Sequence, residues 1–201
     1  MLTAFQNLLS ACAISFDLPI LDWIQANMQS GFMDKFMPFI TVFGDAGIFW
    51  MVCSALLLIF PKTRKTGLGM FFAMMIGLIV CNITLKPLVA RIRPYDLQAE
   101  LGVTIRLLCE AQHDFSFPSG HTIASFEAAV VMLKNSKKLG IPAMILAILI
   151  SFSRLYLYVH YPTDVLASVI LGTLFALIGD AIAAKVAPKL HFGKKGKFEA
   201  A

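Results

Sequence analysis

Four stretches of this chain, roughly 40–60, 67–88, 139–158 and 163–184, are long apolar runs with almost no charge inside them. A helix needs about 20 such residues to cross the hydrocarbon core of a bilayer. Lipid offers no partner to backbone N–H and C=O groups, so a lone spanning segment closes its hydrogen bonds as a helix. A fifth stretch, 119–134 (SGHTIASFEAAVVMLK), is short and crosses only with its ends buried in protein. The predicted fold is an all-α integral membrane protein, a compact bundle of five or six transmembrane helices. With 58% hydrophobic residues, 14% charged and a mean hydropathy of +0.77, the chain lies outside the range of soluble domains.

The first 30 residues mix Leu8, Leu9 and Ile14 with Gln6, Asn7, Asp17, Asp22 and Asn27, which leaves both spanning and interfacial placements open. Asp17 reads as an N-cap with Pro19 in the first turn. Ile20, Leu21, Trp23, Ile24 and Met28 then share one face, a pattern suited to a helix lying in the interface. No basic residue precedes the first apolar stretch, so it does not read as a cleaved signal peptide. Cys12, Cys53, Cys81 and Cys109 have no metal-type spacing and read as small apolar residues. No repeat or domain boundary interrupts the chain. Residues 1–201 read as one domain, with a core over 40–184 and a basic tail over 185–201.

Alternating spans place the segments 61–66, 134–138 and 185–201 on one face, and these hold 11 of the 17 Lys and Arg residues. By the positive-inside rule that face is cytoplasmic and the other extracytoplasmic. The net charge of +5 then reports topology and attraction to an anionic leaflet. It does not call for nucleic acid, for which no motif is present.

Charge at membrane depth is costly and usually lines a cavity or pathway. Here Lys86 and Arg93 close the second clear span in KPLVARIRP, and Arg154 closes the fourth. His121 opens the third in FPSGHT, while His160 and Asp164 open the fifth in HYPTD. All fall on the outer face, an arrangement that suits an anion, since arginine presents a planar fork to phosphate oxygens. Lys86 and Arg93 stand seven residues apart, so a continuous helix would aim both at one cavity. Ser119 and Gly120 precede a helix whose first N–H groups are free to bind phosphate. Asp164 could fix the tautomer of His160 and leave its other nitrogen as a nucleophile, with His121 as general acid. Three cations would also repel a divalent metal, so no metal or other cofactor is expected.

These segments resemble the signature of the type 2 phosphatidic acid phosphatase superfamily, membrane lipid phosphatases related to vanadium haloperoxidases. Its lysine, six residues, Arg-Pro motif matches Lys86, Arg93 and Pro94. Its Pro-Ser-Gly-His motif matches Pro118 to His121, and its Ser-Arg…His…Asp motif matches Ser153, Arg154, His160 and Asp164. The resemblance implies a phosphohistidine on His160, oriented by Asp164, with His121 protonating the leaving group. It implies phosphate held by Lys86, Arg93, Ser119, Gly120 and Arg154 without metal. The family's usual core has six spans, and the polar N-terminus is where this chain departs from it.

An outward-facing site is reached most directly by a bilayer lipid, so undecaprenyl diphosphate leads as substrate. Phosphatidylglycerol phosphate and phosphatidic acid come second, and an anion transporter is the alternative of another class. Arg91, Ser153 and Thr163 read as snorkelling or capping residues, Asp45 and Asp180 as interfacial, and Glu127 as paired with a polar neighbour. His113 and His191 read as solvated. Trp23, Tyr95, Tyr156, Tyr158 and Tyr161 fit an outer aromatic belt, with Tyr158 and Tyr161 as possible substrate contacts. Leu101, Ile105 and Leu108 predict a short interfacial helix within the 95–117 connection.

Overall fold

The structure, a computed structural model, describes residues 2–189; most of the basic tail, with His191, lies outside them. Among the described residues all regular structure is helical. In chain order the helices are α1 (Leu2–Cys12), α2 (Leu18–Met28), α3 (Met33–Thr41), α4 (Ile48–Ile59) and α5 (Arg64–Gly77). There follow α6 (Lys86–Val89), α7 (Pro94–Glu100), α8 (Gly120–Asn135), α9 (Lys137–Tyr156) and α10 (Pro162–Val186). Five continuous stretches are long and apolar enough to cross a membrane: Leu2–Met28, Met33–Ile59, Arg64–Glu100, Lys137–Tyr156 and Pro162–Lys189. The 16-residue α8 is shorter and packs against α5, α9 and α10.

Helices α5, α8, α9 and α10 make the core. Lipid tails are as apolar as leucine, so membrane helices gain most where small residues let backbones approach. Ala73, Ala128, Ala129, Ala147 and Ala176 accordingly pack with Trp50, Met70, Val131 and Ile150 at the centre. At Gly179 of α10 an added Cβ would stand 2.6 Å from the Gly69 carbonyl oxygen and the Ala73 nitrogen of α5. At the end opposite the site, the buried Asp180 receives Lys65 at 3.2 Å and Lys134 at 3.0 Å, tying α5, α8 and α10 together. Asp180, read from sequence as an interfacial charge, is thus also a structural junction.

The N-terminal helix lies across the site end of the bundle. Along its length Gln6 donates to the Val89 carbonyl, Asp17 accepts from Thr163, and Gln25 donates to the Tyr156 carbonyl. Nineteen residues of helix cover about 28 Å, and every one of these partners is at the same ends of α6, α9 and α10. The stretch is long and apolar enough to span, and these bonds hold it along the site end of the bundle. Asp17 is not its N-cap: a π-helical turn over Ala13–Asp17 joins α1 to α2 without a break, and the Asp17 carboxylate serves Arg91 and Thr163.

Candidate active site

The route from α5 to the site widens into a π-helical stretch over Leu78–Leu85, a distortion frequent at functional sites. It delivers Lys86, and the helix then ends at Ala90, whose φ of 50° is left-handed. The two-turn helix expected between Lys86 and Arg93 is therefore absent. The backbone from Ala90 to Arg93 is irregular, which separates the two arginines. Arg93 turns into the site and Arg91 turns away toward Asp17 and Asp164. Arg91, read from sequence as a snorkelling residue, is buried, and its guanidinium stacks 3.8 Å above the Tyr161 ring.

Ser119 caps α8, its hydroxyl accepting from the Thr122 hydroxyl at 3.1 Å, while its own N–H donates to Ser168 at 2.8 Å. Ser119 is fully buried behind Gly120, and only Gly120 and His121 of this turn line the cavity. Here His121 meets Asp45, with Nε2 2.8 Å from Oδ1. Asp45 thus reaches a site side chain, which its reading as an interfacial charge missed.

Between α9 and α10, Arg154 and His160 are almost fully buried. One Arg154 nitrogen, Nη1, donates to the Thr41 hydroxyl at 2.6 Å, whereas Nε and Nη2 have no hydrogen-bond partner among the described residues. Arg93 lies beside His160, Nη1 being 3.4 Å from Nε2, and also donates to the Val159 carbonyl at 2.7 Å. The expected hydrogen bond between His160 and Asp164 is not closed: Nδ1 stands 3.6 Å from Oδ2, beyond bonding distance. The Ser116 hydroxyl approaches Nδ1 at 3.5 Å and donates to Asp164, which also accepts from Arg91 and the Tyr161 N–H. The Asp164 carboxylate is fixed by three groups from three segments, and the imidazole rests against that assembly. Burial, followed by the charges of Arg93, Arg154 and Lys86, pushes the His160 imidazole well below its ordinary value.

Lys86 and Arg93 meet through Asp114 of the outer connection, which bonds Lys86 Nζ and lies 2.5 Å from Arg93 Nη2. Burial alone would raise this carboxyl, but the two cations hold it down at about 2. No sequence pattern marked Asp114, because its partners lie 21 and 28 residues away. The connection also lacks the helix expected over Leu101–Leu108; it is helical only from Pro94 to Glu100, where proline presets the first turn. Beyond that its polar groups bind the site: the Tyr95 hydroxyl donates to the Gln112 carbonyl and Ser116 N–H donates to the Arg91 carbonyl, each at 2.8 Å.

Lys86, Arg93, Gly120, His121, Arg154 and His160 converge on one cavity of about 350 Å³. Its apolar part is lined by Met51, Met74 and Leu78, and Glu127 also reaches it. Glu127 was expected to be paired, but it is 1% exposed and its Oε1 has no partner among the described residues. Gly77 makes room for it, since a Cβ there would meet that oxygen at 2.1 Å. Tyr158 and Tyr161 are buried against the N-terminal helix, Tyr158 donating to Asp22 at 2.5 Å, and neither lines the cavity.

A helical membrane bundle with buried, underused cationic donors around one pocket belongs to the class of membrane proteins that handle anionic lipids. Residues 66–186 match the PAP2 superfamily, and the chain belongs to it. It is similar to the undecaprenyl-diphosphatase of Sulfolobus acidocaldarius, with 32% identity over 82% of this chain and 77% of that protein. It is also similar to the undecaprenyl-diphosphatase BcrC of Bacillus subtilis, with 29% identity over 75% of this chain and 77% of that one. Among solved structures, the transmembrane PAP2-type phosphatidylglycerolphosphate phosphatase of Bacillus subtilis superposes with a TM-score of 0.70. It has 25% identity and covers 92% of this chain and 95% of its own. The protein is a membrane lipid phosphatase, and the transporter reading gives way.

Proposed function

We propose that this phosphatase hydrolyses undecaprenyl diphosphate to undecaprenyl phosphate and phosphate, through a phosphohistidine on His160. The observation that carries the chemistry is Arg154, whose two free donors are buried beside His160 in a cavity that Lys86 and Arg93 also line. Buried donors without partners are costly, so they await an acceptor, and a phosphate supplies several. His160 Nε2 faces Arg93 and is the attacking atom. Asp164, Ser116 and Arg91 hold the imidazole from behind, His121 protonates the leaving oxygen, and Gly120 at the start of α8 adds backbone donors. The fixed cations stabilise the transferring phosphoryl oxygens, which supports a reaction without metal.

The site faces the extracytoplasmic side in this reading, because Lys62, Lys65, Lys134, Lys137 and Lys138 lie at the opposite ends of the helices. The chain works as one domain, with its basic C-terminal segment in the cytoplasm. Similarity to a phosphatidylglycerolphosphate phosphatase favours that lipid as the second reading.

The test is a panel of undecaprenyl diphosphate, phosphatidylglycerol phosphate and phosphatidic acid, given to purified protein in detergent with and without chelator. Preferred release of phosphate from the prenyl diphosphate, undiminished by chelator, is expected. Preference for a glycerolipid overturns the substrate, and loss of all activity on chelation overturns the metal-free site.

A further inference from the structure

The surroundings of His121 include a segment outside residues 66–186, the part of the chain that carries the family match. Between α3 and α4 the helix tightens over Val42–Gly47 and then kinks, with Asp45 extended and Ala46 and Gly47 left-handed at φ 48° and 67°. Alanine pays for that conformation, since its Cβ crowds the carbonyl there, and such positions persist only where surrounding contacts hold them. Two contacts do so here: Thr41, just before the kink, accepts from Arg154 at 2.6 Å, and Asp45 meets His121 at 2.8 Å. Gly44 leaves room for the imidazole, as a Cβ there would stand 2.6 Å from His121 Cδ2. Gly44, Ala46 and Gly47 line the same cavity as the site side chains. One short stretch thus supports both an arginine and a histidine of the site.

Resting on the phosphatase reading above, we propose that Thr41–Gly47 is a fourth segment of the active site and that Asp45 is the positioning residue of its general acid, His121. Asp45 accepts the Nε2–H and keeps that proton in place in both charge states, so the proton that the imidazolium transfers, and later regains, is the one on Nδ1. In the first step His160 Nε2 bonds to phosphorus, the bond from phosphorus to the lipid-side oxygen breaks, and that oxygen takes its electron pair and a proton from His121 Nδ1. In the second step water bonds to phosphorus and the phosphorus–nitrogen bond breaks. The water gives one proton back to His121, so no net proton is left on the enzyme, and Asp45 stays ionised throughout. The Asp45 side chain is 57% exposed, so its pairing adds little to stability and a substitution there does not threaten the fold.

The experiment compares two leaving groups with wild type, Asp45→Asn and Asp45→Glu in detergent. A lipid phosphate expels a poor alkoxide or phosphate and needs the acid, whereas 4-nitrophenyl phosphate expels a phenolate that does not. Asp45→Asn should lower kcat on the lipid substrate about 100-fold, within the range supplied by general acids. The loss on the aryl substrate should be about threefold or less, and Asp45→Glu should restore part of the lipid activity. Vanadate, a phosphate mimic, should inhibit all three proteins alike. Equal losses on both substrates, or no loss on the lipid, overturn the role of Asp45 and leave the phosphatase standing. A wild type that releases no phosphate from any lipid removes the phosphatase reading itself.

Discussion

Arg91 and Asp164 form a buried ion pair at 2.5 Å, and the other side of the same guanidinium reaches Asp17 at 2.7 Å. The arginine thereby joins the N-terminal helix to the carboxylate behind His160. Removing it would leave two carboxylates buried without a cation, a change that costs about 3–5 kcal/mol in comparable buried pairs. Arg91→Ala should lower the unfolding midpoint in detergent sharply. Arg91→Lys should recover only part of it, because a single ammonium cannot reproduce the fork. Thermal unfolding monitored by circular dichroism checks both, and an unchanged midpoint for Arg91→Ala would contradict the pairing.

Asp114 occupies two of the cations that would hold phosphate, so substrate and product must compete with it. Asp114→Asn should tighten inhibition by inorganic phosphate or vanadate by about tenfold, equivalent to ~1.4 kcal/mol. The carboxyl is held at about 2, below its unfolded value near 4. The stabilising pairing is therefore complete above about pH 4 and is lost only as pH falls toward 2. Competition by Asp114 should accordingly be constant across the working range, and inhibition constants measured from pH 5 to about 8 for both proteins test this.

In the proposed mechanism His160 must be neutral to attack phosphorus. Burial and the neighbouring Arg93, Arg154 and Lys86 push its imidazole well below the ordinary value, which is about 6.5. Its neutral form therefore persists as pH drops through that value, and the acid limb of kcat/KM should lie clearly below about 6. A limb centred at or above the ordinary histidine value would mean that the cations do not bear on this ring.

Glu127 places an unsatisfied carboxyl oxygen in the cavity. Replacing such a group by an apolar one of similar volume removes a desolvation penalty of about 1–3 kcal/mol. Glu127→Leu should therefore raise the unfolding midpoint in detergent. A lower midpoint would show that the carboxyl has a partner in the folded protein, bound water being the first candidate.

The residues most visible in the sequence were the ones lipid makes expensive. Lys86, Arg93, Arg154 and the two histidines stand out because they end apolar runs, and the structure brings all five to one cavity. Asp164 lies just behind it, near enough to His160 to be foreseen from their spacing but bound first to Arg91 and Ser116. What stayed hidden came from segments without periodicity. Asp114 sits in an irregular connection and Asp45 in a kink, and each finds its partner by tertiary closure rather than by spacing. Local pattern also misjudged Arg91, because a snorkelling arginine and one buried between two carboxylates look alike until the chain is folded. The N-terminal helix could not be placed from hydropathy alone, and its bonds to Val89, Tyr156 and Thr163 arise only once the chain is folded.

That crosswise helix bears on what the smallest working version of this enzyme would be. A fragment trimmed to residues 66–186 would keep every family motif yet lose Asp17, Thr41 and Asp45, the partners of Arg91, Arg154 and His121. His160 would survive, but the partners that hold Arg91, Arg154 and His121 around it would be gone. The unit that holds the proposed site together is larger than the family's recognisable signature, and a truncation that removes Asp17, Thr41 or Asp45 takes away a partner of a site side chain.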